Sequence, residues 1–401
     1  MTKILGTAMD TGGSGINTME ISIMRTSDER YWSGTSWVDE ARGLSANGTT
    51  QWSYNASSVG WTSGKQYVIR SRAIDHATNI ELVGVGNLFT FDIDNPSSII
   101  DIPANNSFLN DLITISGTSL DIDGSGIDVV EICLRRNSDK RYWSGTDWLT
   151  KETWLLTTGT ANWLYNTSFV LWTSNTIYSV QSRATDNAIN IEHPNITVIF
   201  SVDQDKPSST IDFPLDNSYL NNLNTISGYS SDQGGLGIQL IKISIMKVDD
   251  NNYWDGKKWS KDECWLLATG TDEWTFDASG VDWVSDSQYI IRSRAIDIAG
   301  NMELPGSGTT FIFDNQPPTD LSILINGDDE YTNSTAATLL LSAEDTGSGL
   351  ALMSLSTDGN TWTSWEPFTG ERSFTLPPLD GEKKVYFKVN DLGGKYCRTR
   401  V

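Results

Sequence analysis

Three segments, RYWSGTSW, RYWSGTDW and NYWDGKKW, place Tyr31, Tyr142 and Tyr253 at a constant step of 111 residues. The same step relates Trp61, Trp172 and Trp283, the SRA triplets at Ser71, Ser182 and Ser293, the acids Asp75, Asp186 and Asp297, and the junction prolines Pro96, Pro207 and Pro318. A repeat held this strictly means that each copy is one folding unit with its own core. A fourth, diverged copy follows Pro318 and keeps EDTGSGL, TWTSW and VYFKVNDLGGK. The repeat divides the chain into modules 1–94, 95–205, 206–316 and 317–401. Aligning Ile4 with Ile115 leaves the first module without its first strand. The fourth module stops soon after Asp391, where a last strand is expected, and so reads as C-terminally truncated. The chain reads as a piece of a longer array, with a natural terminus as the alternative.

Within a copy the apolar residues alternate. Ile241, Ile243 and Ile245 are interleaved with Lys242, Ser244 and Met246, and Tyr289, Ile291, Ser293 and Ala295 with Ile290, Arg292 and Arg294. Period two is the mark of a strand with one buried face, and no segment carries a helical stripe. About seven such runs, punctuated by Gly, Asn, Asp and Ser, predict an all-β sandwich for each module. Short proline-bearing linkers predict an elongated, semi-rigid rod of roughly 35 to 40 Å per module.

Composition narrows the function classes. The 401 residues carry 28 basic and 51 acidic side chains, a net charge of −23, which repels nucleic acid phosphates and anionic membranes. No apolar run reaches about 18 residues, so no membrane insertion is expected, and the first residues turn polar too early for a signal peptide. Taken alone, that start suggests the cytosol; a missing N-terminus explains it as well. The cysteines, Cys133, Cys264 and Cys397, are odd in number and lack metal or redox spacing. Cys133 aligns with Ser22 and Ser244 at an outward strand position and is expected to be an incidental thiol. The 16 tryptophans suit small cores that need large side chains.

The segments ISGTSLDIDGSGIDVVEI, YSVQSRATDNAIN and SRAIDIAGN resemble the tandem Ig-like repeats of large bacterial and archaeal surface proteins, similar in layout to fibronectin type III modules. The resemblance covers nearly the whole chain. It implies tandem Ig-like β-sandwich modules, an extracellular or cell-surface address, and work as stalk, spacer, adhesive or accessory module. The implied partners are other repeats, other copies of the chain, or cell-surface glycans or proteins. The sequons at Asn47, Asn55, Asn105, Asn166, Asn195 and Asn333 agree only weakly with that address.

Candidate chemistry is sparse. His76 and His193 occupy no shared position and no GxSxG elbow is present, so no enzyme is expected. Asp10, Asp121, Asp232 and Asp345 recur before a glycine turn, and Asp123 adds a second acid in the second copy. Such loops could hold Ca²⁺; an aspartate turn followed by a glycine at positive φ accounts for them more simply. No cofactor is required. The same two readings apply to Asp75, Asp186, Asp297 and Asp391.

The pairs Trp32 with Trp37, Trp143 with Trp148 and Trp254 with Trp259 are either a ligand platform for sugars or a structural staple. A two-residue turn at Gly34 and Thr35 puts Trp32 directly across from Trp37. A turn centred on Asp255 and Gly256 would instead break the third pair. The recurrence favours the staple. The leading expectation is a non-enzymatic structural or adhesive segment. Carbohydrate binding by the tryptophan hairpins is the first alternative, and a filament built by strand donation into the incomplete first module is the second.

Overall fold

The computed structural model describes residues 1–400, which form strands, turns and loops, with no helix among the described residues. The chain divides into two compact units, Met1–Val202 and Asp203–Val401. Each unit contains two sandwiches, and each sandwich has its own buried cluster.

The second copy shows the plan. Ser97–Ile102, Thr114–Leu120 and Asn162–Asn166 form a three-stranded antiparallel sheet. The opposite sheet runs Ser107–Leu109, Val198–Val202, Thr176–Asp186, Ile127–Arg136, Arg141–Trp143 and Trp148–Leu149, with Leu155–Leu156 also pairing with Ile127–Arg136. All pairings are antiparallel except that of Ser107–Leu109 with Val198–Val202. Two antiparallel sheets related in this way are the Ig-like and fibronectin type III-like sandwich.

Alternation decides which residues fill the space between the sheets. Val130, Ile132 and Leu134 from one sheet meet Ile115 and Trp163 from the other, all at 2% exposure or less. Each such side chain contributes roughly 1.5 to 3 kcal/mol on burial. A carboxylate then ties the sheets together: Glu192 accepts from the Ser98 amide at 2.9 Å, the Ser98 hydroxyl at 2.6 Å and the Ala184 amide at 2.9 Å. Glu303 repeats the clasp with Ser209 and Ala295. Tyr67, Tyr178 and Tyr289 are fully buried, and their hydroxyls accept from the amides of Thr62, Thr173 and Val284, five residues upstream. This is a tyrosine-corner arrangement.

In the first copy, Lys3–Thr7 takes the place of Thr114–Leu120 and pairs with Gln51–Asn55. No strand there corresponds to Ser97–Ile102, and Glu81 keeps only the Ala73 amide of the clasp, at 2.8 Å.

The fourth copy corrects the expected truncation. Its last strand, Tyr396–Arg400, is present and pairs antiparallel with Tyr386–Asp391. In the second and third copies, 11 residues separate the corresponding strands, Thr176–Asp186 from Val198–Val202 and Ser287–Asp297 from Thr309–Phe313; in the fourth a turn of four residues, 392–395, suffices. The tryptophans of TWTSW form no hairpin either. Trp362 and Trp365 lie on the Lys388 ammonium, 4.4 and 4.6 Å from the ring centroids.

Candidate metal centre and the tryptophan hairpins

The hairpin register follows from its two-residue loop. Ser33 donates its amide to Ser36 at 2.8 Å, Gly34 takes the positive φ of 103° that the first loop position requires, and Trp32 faces Trp37. In the third copy Asp255 donates its amide to Lys258 at 3.0 Å, so the loop is Gly256 and Lys257, and Trp254 still faces Trp259. The ring centroids are 5.4 Å apart in all three copies.

Burial separates the two rings of each pair. Trp32, Trp143 and Trp254 are 4%, 3% and 4% exposed and belong to the cores. That corrects their candidacy as ligand-binding residues, because a sugar cannot stack on a ring inside a sandwich. Trp37, Trp148 and Trp259 are half-buried. A cation lies over each: Arg25 at 4.8 Å, Arg136 at 4.9 Å and the Lys247 ammonium at 5.8 Å. The Trp37 and Trp259 indoles also donate to the carbonyls of Gly60 and Asp282.

The outer face of the larger sheet is not uniformly wet. Cys133 and Ser244 are 4% and 2% exposed, because the loop after the hairpin folds over them. Trp154 and Trp265 lie 4.2 and 4.1 Å from the guanidinium carbons of Arg183 and Arg294 on this face. Burial pushes the Cys133 thiol up to about 12, aided by the charge of Glu152. In the first copy Gly43 stands where the others have tryptophan. A cavity of about 360 Å³ opens there, lined by Glu20, Ser22, Tyr31, Arg70 and Arg72, with Arg72 held by Glu20 at 2.6 Å.

The recurrent aspartates assemble into clusters that include acids from the ends of the preceding copies. Asp92, Asp121 and Asp186 each offer a carboxylate oxygen within 4.8 Å of the others; so do Asp203, Asp232 and Asp297, and Asp314, Asp345 and Asp391. Asp92 follows the Asn87–Phe91 strand, Asp121 closes Thr114–Leu120, and Asp186 ends Thr176–Asp186. Asp186, Asp203, Asp297 and Asp314 are fully buried, Asp391 is 1% exposed, and Asp92 is 7% exposed. None of the ion pairs among the described residues reaches Asp92, Asp121, Asp186, Asp232, Asp297, Asp314, Asp345 or Asp391.

Amide donors shape each cluster. Asp121 Oδ2 accepts from Gly126, Asp92 Oδ2 from Ser125, and Asp186 Oδ1 from Ala188 and Asn190. Burial works against the Asp92 and Asp314 carboxylates. Donors from Ser125, Asp94 and Ser63, and from Ser348, Gln316 and Ser285, outweigh it and hold both below the usual range. Asp121, Asp232, Asp345 and Asp391 are pushed up, by burial first and by the charges of their cluster neighbours as well.

Of the acids singled out by sequence, Asp121, Asp232 and Asp345 therefore lie in the clusters. Asp10 makes only the turn, accepting from Gly15 at 2.7 Å, and Asp123 is exposed; neither belongs to a cluster. Sequence reasoning missed Asp92, Asp203 and Asp314 as members. Their signal is the same step of 111 residues, within the acidic stretches before the junction prolines.

No family model matches the chain, and no curated protein matches it significantly. Among solved structures it is similar to a tetra-tandem repeat in the extending region of a large adhesion protein, at 11% identity and a TM-score of 0.34, covering all of this chain and 94% of that one. It is also similar to the chicken CNTN1 FN1-FN3 domains, at 11% identity and a TM-score of 0.31 over 78% of this chain and 94% of that one. The fibronectin(III)-like modules of Clostridium thermocellum CbhA share 14% identity and a TM-score of 0.30 over 54% and 94%.

Proposed function

We propose that this chain is a non-enzymatic structural and adhesive segment, a stalk or spacer array of a large extracellular surface protein. The observation that carries the reading is where the aromatic side chains go. In three copies the first hairpin tryptophan, the corner tyrosine and the sheet tryptophan (Trp52, Trp163 or Trp274) are all buried within the copy's own sandwich. Repetition of a self-sufficient module supplies length and number of contact surfaces without building any unique cleft. The acidic balance keeps such an array soluble by self-repulsion.

The carbohydrate reading retains only the half-buried rings, Trp37, Trp148 and Trp259, each already covered by a cation. The test is the intact chain on a glycan array beside a variant carrying Trp37→Ala, Trp148→Ala and Trp259→Ala. No glycan signal that depends on these rings is expected. A signal present in the parent and lost in the variant would replace the spacer reading with carbohydrate recognition.

A further inference from the structure

An aspartate turn uses only part of what these carboxylates offer. Asp391 Oδ1 accepts the Lys395 amide at 2.8 Å, while Asp391 Oδ2, in a side chain 1% exposed, has no hydrogen-bond partner. Asp232 Oδ2 likewise accepts the Gly237 amide at 2.8 Å and leaves a buried Oδ1 without one. A buried carboxylate oxygen that faces other carboxylates instead of a donor is unfavourable unless something positive meets it. The charges of Asp314 and Asp345 bear directly on Asp391, and those of Asp203 and Asp297 on Asp232. The turn explains one oxygen of each residue; the other has only a cation to turn to.

We infer that the three aspartate clusters are binding sites for a hard divalent cation, Ca²⁺, and that one chain binds three ions. The donors are oxygens alone, which suits Ca²⁺ and disfavours the metals that select thiolate or imidazole. Oxygens within 4.8 Å of one another fit around a single ion with Ca–O distances of about 2.3 to 2.6 Å, since two ligands across such an ion are separated by at most about 5 Å. Ca²⁺ takes about six to eight oxygens, and the three carboxylates provide the charge while water completes the shell. At Asp92, the ion ties the residue after the last strand of the first sandwich to two loops of the second. At Asp314 it does the same for the third and fourth. The first sandwich repeats the turn at Asp10, but that residue has no cluster and takes no ion. The sites are independent of whatever the array adheres to, so a failed adhesion reading leaves them standing.

The experiment is equilibrium dialysis of the EDTA-stripped full chain against ⁴⁵Ca²⁺, with Asp121→Asn, Asp232→Asn, Asp345→Asn, the three combined, and Asp10→Asn. Three ions are expected for the parent and for Asp10→Asn, two for each single cluster variant and none for the combined one. Thermal unfolding keeps a folding defect from imitating lost binding. Asn retains the acceptor for the turn amide and removes repulsion, so each cluster variant should melt in EDTA no lower than the parent and gain less than the parent from Ca²⁺. The inference is overturned by a parent stoichiometry other than three, by loss of an ion from Asp10→Asn, or by cluster variants that keep all three. Melting of the cluster variants below the parent in EDTA would also overturn it, because it would assign these residues to the turn alone.

Discussion

Gly117 lies directly across from Trp163, and the same pairing joins Gly6 to Trp52 and Gly228 to Trp274. A Cβ on Gly117 would come within 2.4 Å of the Trp163 ring and 1.9 Å of the Ile99 carbonyl, so the indole lies flat on bare backbone. Gly117→Ala is therefore expected to destabilise the second sandwich by about 2 kcal/mol, the scale of forced overpacking, read as a lower urea midpoint. Residue-scale features that depend on near neighbours were legible in the sequence. The paired tryptophans are one case, since a two-residue loop leaves only one register. The burial of Cys133 was not legible, because its cover comes from a loop about twenty residues on. The aspartate clusters were read as turns for a similar reason: the turn at Asp121 is real, while its partners Asp92 and Asp186 are distant along the chain.

At the scale of the element, the hairpin divides its work unequally. Trp32→Ala should cost about 3 to 5 kcal/mol as a core truncation. Trp37→Ala should cost no more than about 2 kcal/mol, comprising an edge contact, a cation contact and a half-buried ring. Chemical denaturation of the two variants checks the ranking. The corner tyrosine carries a pH signature. Burial pushes the Tyr289 hydroxyl up to about 12 from an ordinary value of 10.0. The unfolded chain therefore loses this proton first, and the contribution is complete below pH 10 and disappears as pH rises through 12. Tyr289→Phe should flatten that part of the alkaline decline in urea midpoint. Strand content and sheet alternation were readable from period two. The final strand of the fourth copy was not, because its short turn broke the spacing that the other copies had taught.

For the whole molecule, four separate cores predict local rather than global failure. Ile132→Ala, at a fully buried position of the second sandwich, should cost about 2 to 5 kcal/mol there. Hydrogen exchange should quicken across 95–205 while 317–401 in the other unit keeps its protection, as expected where residues share no contacts. A matching loss in both segments would show that the units unfold together. The repeat made the module plan legible because each copy restates the same solution. It was silent on what joins the copies, since a self-sufficient module needs nothing from its neighbour to satisfy its own pattern.

The glycine at position 43 makes the first copy a comparison that the chain performs on itself. The second and third copies show the larger sheet roofed by an indole resting on arginine; the first shows the same sheet with the roof left off and the Glu20 to Arg72 pair still in place. Ser22 is half-buried where Ser244 is sealed. Inside the sandwich the copies are held to one template, and outside it they are free to differ. Any distinction one copy makes between its surroundings and another's therefore has to be sought on this outer face, not in the cores.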